Sequence, residues 1–155
     1  MEPVQTLHVA TAADLVYRPR EDEKEKASNG YLMSVIAIMM GLPLPVINLL
    51  ATFIFFLANR KSTWFVRWHC TQALLSQFTV FIVNSVAFGW TISVLLEKQD
   101  VTDGYIGYLI VTALFNLLEL IITISGAIRV RKGQHVIWWF WGDLTDVLVG
   151  KKQTI

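Results

Sequence analysis

The chain has 155 residues, enough for one ordinary domain, with 54% hydrophobic and 16% charged side chains, a mean hydropathy of +0.51 and a net charge of +1. Soluble domains run at ~45–50% apolar and ~25% charged, so the composition excludes an ordinary water-soluble protein. A near-balanced charge without a basic stripe argues against a nucleic-acid partner, and a single cysteine, Cys70, excludes an internal disulfide and a Cys-based metal site.

Residues 1–30 are polar and mixed, and read as a solvated tail. No basic start followed by an apolar run and a cleavage site is present, so no signal peptide is expected. Arg20 to Lys26 could form a short helix, with Asp22 and Lys26 as a supportive i,i+4 pair, ended by Ser28-Asn29-Gly30.

Three apolar stretches follow: Tyr31–Ala58, Ala73–Leu96 and Tyr105–Ile128. Together they hold 76 residues and one charged side chain, Glu119. Each exceeds the ~20 residues that cross a ~30 Å hydrocarbon core as a helix. The expected fold is therefore an all-α membrane protein with three transmembrane helices, its domain covering residues 31–150, in the lipid bilayer. The first stretch carries Gly41-Leu42-Pro43-Leu44-Pro45 near its middle, where prolines remove donors and clash with the preceding turn. A kinked single span is the favoured reading, and a re-entrant hairpin of two short helices is the alternative.

Loop charge sets the expected topology. Asn59–Gln72 carries Arg60, Lys61 and Arg67 without an acid, and the segment from Arg129 is also basic, while Glu97–Gly104 is acidic. The positive-inside rule places the first loop and the C-terminus in the cytoplasm. With three spans the N-terminal tail lies outside; with a re-entrant first segment it is cytoplasmic. Trp64, Trp68, Trp138, Trp139 and Trp141 all map to the basic face, where tryptophans anchor membrane proteins at the interface. From Val136 to about Val149, Trp138, Trp141, Leu144 and Leu148 recur at roughly helical spacing, predicting an amphipathic interfacial helix.

Polar residues inside the spans form seams. Thr112, Asn116, Glu119 and Thr123 share one stripe of the last span; Gln77, Asn84 and Thr91 recur every seven residues on the second; Ser34, Gly41 and Asn48 do so on the first. Counted from the basic end of each span, Glu119 lies nine residues in, Asn48 ten, Asn84 eleven and Asn116 twelve. The expectation is a polar layer in which the three asparagines hydrogen-bond Glu119, as interhelical glue or as a proton-linked or partner-binding site.

No His-Glu-x-x-His, Cys-x-x-Cys, Gly-x-Ser-x-Gly or phosphate loop occurs. No catalytic residue, metal site or cofactor is expected. His69 and His135 lie at the basic boundary.

Arg67-Trp68-His69-Cys70-Thr71-Gln72-Ala73-Leu74 resembles the Arg-x-His-x-x-Gln-Ala-Leu motif of a family of small bacterial membrane proteins of unknown function. That family is distantly similar to Tic-twenty, a subunit of the chloroplast inner-envelope protein translocon. Pro45 in a long apolar run, the Arg60-Lys61 loop and Gly126–Gly133 also look like it, over about residues 31–141. The resemblance implies a bacterial inner-membrane subunit or accessory factor of a larger assembly, with protein translocation as an analogy. Arg67, His69 and Gln72 are the motif residues at the cytoplasmic interface, where His69 and Gln72 can cap loops or serve the backbone near Pro43 and Pro45. Two function classes follow: a non-enzymatic component associating with other membrane proteins or with copies of itself, and an oligomeric proton-linked transporter or channel using Glu119. A lipid-handling role through the Trp-rich tail is a third.

Overall fold

The computed structural model describes residues 17–39, 45–96 and 100–150, and among these the chain is all helical: α1 (Glu21–Met39), α2 (Pro45–Asn59), α3 (Trp64–Leu96), α4 (Asp103–Arg131) and α5 (Trp141–Val149). At 1.5 Å per residue α3 and α4 are about 50 and 44 Å long. Only 11% and 17% of their most apolar stretches are buried, whereas the core helix of a soluble protein is mostly buried. Phe78, Ile82, Val86 and Leu95 on α3, and Ile110, Leu114, Leu118 and Ile121 on α4, face outward. Apolar exposure on that scale requires hydrocarbon or a partner around it.

The expected first span is not one kinked helix. Residues 31–58 divide between α1 and α2, and Gly30 on α1 lies against Phe55 on α2, so close that a Cβ on Gly30 would stand 3.7 Å from the Phe55 ring. Two residues 25 apart in sequence meet only if the helices fold back as a hairpin, the alternative arrangement for this stretch. Pro45 opens α2 at the first helical position, where its missing N–H costs nothing. The α2 helix has 15 residues, or about 22 Å, too short to cross the core alone. Gly41 and Pro43 lie outside the described residues.

The helix expected to stop at Ser28-Asn29-Gly30 instead continues through it. Ala27, Ser28 and Tyr31 are buried, and Gly30 sits so close to α3 that a Cβ would stand 3.0 Å from Cys70 Sγ. Packing thus overrides a local stop signal. At its start, Arg20 N–H donates to Glu23 Oε2 at 2.7 Å, half of a capping box.

Burial alone would raise the Glu23 carboxyl, but the Arg20 N–H, the Tyr17 hydroxyl and the Arg20 charge outweigh it and hold it below its ordinary 4.5. A depressed carboxyl stabilises the fold above its unfolded value, and that contribution is lost as pH falls through the folded value. The thermal midpoint in detergent is therefore expected to drop as pH falls below 4.5, and Glu23→Gln should flatten that drop.

The packed core gathers at one end of the bundle. Ala27 and Tyr31 of α1, Phe65 and Ala73 of α3, Ala127 and Val130 of α4, and Val136 of the following loop form one cluster, with Leu32, Trp64 and Trp138 against it. Arg131 meets Glu25 at 3.3 Å, so the start of α1 and the end of α4 share this end. The α4 helix closes on Gly133, whose φ of +81° favours glycine, with Gln134 N–H donating to Arg129 O and Gly133 N–H to Val130 O. At the opposite end, the Thr102 hydroxyl accepts from Tyr105 N–H and caps α4.

The predicted helix over 136–149 begins only at Trp141. Residues 136–138 are held instead by Gln72, whose amide accepts from Trp138 N–H at 3.0 Å and donates to Val136 O at 3.1 Å. Those backbone groups are thereby committed away from a helix. The α5 helix rests on α3 through buried Gly142 and Thr145 and leaves Val147 and Leu148 exposed.

Candidate functional site

Two polar constellations occupy this frame. The first lies in the packed end. His69 and Gln72, three residues apart, share one face of α3 and are fully buried. Gln72 Nε2 donates to Tyr31 Oη at 2.7 Å, and Tyr31 Oη pairs with His69 Nδ1 at 2.9 Å. His69 Nε2 then meets His135 Nδ1 at 3.1 Å. Tyr31 Oη accepts from Gln72, and the donors in the Tyr31–His69 and His69–His135 bonds follow from the imidazole tautomers. Phe65 and Trp68 pack edge-on against the His69 ring at centroid distances of 4.6 and 5.0 Å.

Sequence reasoning paired His69 and Gln72 with the backbone near Pro43 and Pro45 or with loops; Gln72 meets the loop backbone at Val136 and Trp138, and His69 meets the side chains of Tyr31 and His135. Pro43 lies outside the described residues. Arg67 is half-buried: its Nε is enclosed without a hydrogen-bond partner, and its backbone carbonyl accepts from the Thr71 hydroxyl. Tyr31 escaped notice because a tyrosine at the start of an apolar run looks like an interface residue.

The tryptophans divide by role. Trp68 is fully buried and donates to Asp146 Oδ1 at 2.8 Å, and Trp64 donates to Gly150 O at 2.8 Å. Both indoles therefore tie α5 to α3; Trp68 is enclosed by the protein, while Trp64 keeps part of its ring at the surface. Trp138 is half-buried over Gly126, where a Cβ would approach its ring to 3.2 Å. Trp139 is 90% exposed, as an interfacial anchor would be, and Trp141 opens α5.

The second constellation is the seam between α3 and α4. From the packed end outward, Gln77 meets Glu119, Asn84 meets Asn116 and Thr91 meets Tyr105, an antiparallel ladder on the seven-residue repeat of α3. The expected asparagine shell around Glu119 is not what forms. Glu119 Oε1 accepts from Ser76 at 2.8 Å, Gln77 at 2.8 Å and Thr123 at 3.0 Å. Asn84 and Asn116 bond each other reciprocally at 2.9 and 2.8 Å. The physical reason is pitch: Asn116 is nearly a full turn from Glu119, and the residue facing it across the antiparallel seam is Asn84. Gln77 and Thr123 were visible in the seams, but Ser76 fell outside the repeat.

Asn84→Leu alone strands the Asn116 amide and is expected to cost about 1–2 kcal/mol, while Asn84→Leu with Asn116→Leu should recover most of it. Unfolding of the detergent-solubilised variants, read as a double-mutant cycle, measures both.

Glu119 borders two spaces. One is a groove of about 650 Å³, lined by Phe115, Leu118, Ile122 and Trp138–Trp141, open on the outer side of α3 and α4. The other is a chamber of about 30 Å³ within the bundle, whose polar lining comes from Asn48, Gln77, Asn116, Glu119 and Thr123. Asn48 Oδ1 is buried there and lacks a hydrogen-bond partner. Among the described residues no group of three or more His, Cys, Asp or Glu side chains is placed to hold a metal ion.

The family model described as the magnetosome magnetite crystal formation protein family matches residues 27–141. The matched span starts at buried Ala27, takes in both constellations and ends where α5 begins. It gives no support to the translocon resemblance drawn from Arg67–Leu74. No curated protein and no solved structure matches the chain.

Proposed function

We propose that this chain, which belongs to the magnetosome magnetite crystal formation protein family, is a non-enzymatic, multi-pass accessory subunit of the magnetosome membrane. It acts by associating with other membrane proteins or with copies of itself. The observation that carries this reading is the family match over about three quarters of the chain. Two features of the fold support it. The apolar outer faces of α3 and α4 suit lateral contacts in a bilayer, and the hydrogen-bonded end offers a rigid base for them.

In this reading α3 and α4 cross the membrane and the α1–α2 hairpin enters and leaves on one side. Arg60, Lys61, Arg67, Arg129, Arg131 and Lys132 at the packed end support a cytoplasmic side for that end and α5 in this reading. The start of α1 lies on the same side, because Glu25 pairs with Arg131. Trp139, Val147 and Leu148 enter the cytoplasmic interface. Protein translocation has only the Arg67–Leu74 motif behind it and is set aside.

The test is affinity purification of the C-terminally tagged chain from magnetite-forming cells in mild detergent, read by mass spectrometry, beside crystal sizing in a deletion strain. Stoichiometric membrane partners or a homo-oligomer in the mineral-bearing membranes, with altered crystals on deletion, are expected. A chain confined to other membranes, with unchanged crystals on deletion, would overturn the reading.

A further inference from the structure

All three donors that reach Glu119 fall on Oε1, from Ser76, Gln77 and Thr123. An oxygen accepting three bonds does not also carry a proton, so any proton on this carboxyl sits on Oε2, which receives no hydrogen bond from the described residues. The same chamber holds Asn48 Oδ1, a buried acceptor without a donor. Two of the amides nearby spend both donors elsewhere: Asn116 Nδ2 donates to Asn84 Oδ1 and Thr112 O, and Asn84 Nδ2 to Asn116 Oδ1 and Val80 O; Gln77 Nε2 turns one N–H to Glu119 Oε1. The chamber thus holds an acceptor in need of a donor, beside a carboxyl oxygen from which a proton can supply it. Its volume of about 30 Å³ also admits a single bridging water. Among the described residues no other charged side chain lines it.

We propose that this chamber is an exchangeable proton-binding site, in which Glu119 Oε2 carries the proton and donates it to Asn48 Oδ1, directly or through one water. Uptake forms the Oε2–H bond as a hydronium ion gives up a proton and becomes water; release reverses both. The site joins the α1–α2 hairpin to the α3–α4 seam, because the donor stands on α4 and the acceptor on α2. An ionised Glu119 cannot make this bond, so the protonation state determines whether this one hydrogen bond joins α2 to the seam, in addition to the packing that already holds the hairpin. Growth of an iron oxide from aquated cations releases protons, which would give such a site a purpose; that link rests on the family reading, and the site itself does not.

Infrared difference spectroscopy of the full chain in liposomes tests the site without any mineral. At neutral pH the wild type should show the C=O band of a protonated carboxyl that shifts down on exchange into D₂O. Glu119→Gln should lose it, and Asn48→Leu should keep it but move it to higher frequency as the hydrogen bond weakens. Asn48→Leu leaves the carboxyl in place, so the test survives if Glu119→Gln fails to fold. Absence of the band in the wild type, a band untouched by either substitution, or one that never exchanges in D₂O would overturn the proposal. None of those results bears on membership of a magnetosome assembly, which the tagged-chain experiment reads separately.

Discussion

Gln72→Leu is expected to be the most destabilising single change in this protein. The glutamine amide makes three buried connections, to Tyr31 Oη, Val136 O and Trp138 N, and leucine fills its space without replacing any of them. Tyr31 keeps its bond to His69, so Val136 O and Trp138 N are the groups left unpaired; at about 1–3 kcal/mol each, the loss is roughly 2–6 kcal/mol, with some relief if water reaches the loop. The effect should also be local: residues 133–140 lose their attachment to α3, so protease cleavage there should accelerate before the bundle melts. Gln72→Glu retains an acceptor for Trp138 N–H but removes both donations, and should fall between the two. Thermal unfolding in detergent with timed proteolysis checks both parts. Equal cleavage of wild type and Gln72→Leu would mean that the loop is held by something other than the amide.

The second large effect is expected at Gly30, where α1 packs closely on α3. A Cβ there would stand 3.0 Å from Cys70 Sγ and 3.6 Å from the Cys70 backbone, with the Phe55 ring at 3.7 Å. Alanine gains about 1 kcal/mol of helix propensity over glycine, which partly offsets the crowding at sulfur. Leucine has no such escape, since two other helices close the space, and overpacking of this kind costs about 1–3 kcal/mol or more. Gly30→Leu should therefore lower the unfolding midpoint and pry the hairpin from α3, while Gly30→Ala stays near the wild type. Pairing Gly30→Ala with Cys70→Ala should exceed the wild type, because the clashing sulfur is gone and the propensity gain remains. Unfolding midpoints of the four proteins decide it.

Glu23 and the Asn84–Asn116 pair illustrate how differently polar groups act at the two depths. At the water-facing end a carboxylate caps α1 and its contribution varies with pH. Inside the seam the neutral amides act through geometry alone: removing one is costly because the other has no water to turn to.

Much was legible in the sequence because the bilayer leaves few choices. An apolar run beyond 20 residues must satisfy its own backbone, so α3 and α4 follow from composition alone. The seven-residue recurrence of Gln77, Asn84 and Thr91 likewise marked the face that meets α4, because helical pitch fixes which residues share a stripe. His69 and Gln72 stood out through the motif that Arg67–Leu74 resembles, and their spacing of three put them on one helix face.

Three matters needed the tertiary structure. Composition cannot separate a kinked span from a hairpin at Gly41–Pro45, since both bury the same apolar residues; the meeting of Gly30 with Phe55 decided it. Depth alone predicted asparagines around Glu119, yet hydrogen bonds depend on angle as well as level, so Ser76, Gln77 and Thr123 are its partners. Trp64 and Trp68 looked like membrane anchors, but an indole N–H goes to whichever acceptor the fold brings near, here Gly150 O and Asp146 Oδ1. The sequence by itself determined a helical membrane protein with its charges at the ends and a carboxyl within. Only packing decided which other side chains that carboxyl, the two histidines and Gln72 would meet, because, Thr123 apart, those partners lie 38 to 66 residues away along the chain and no local pattern records them.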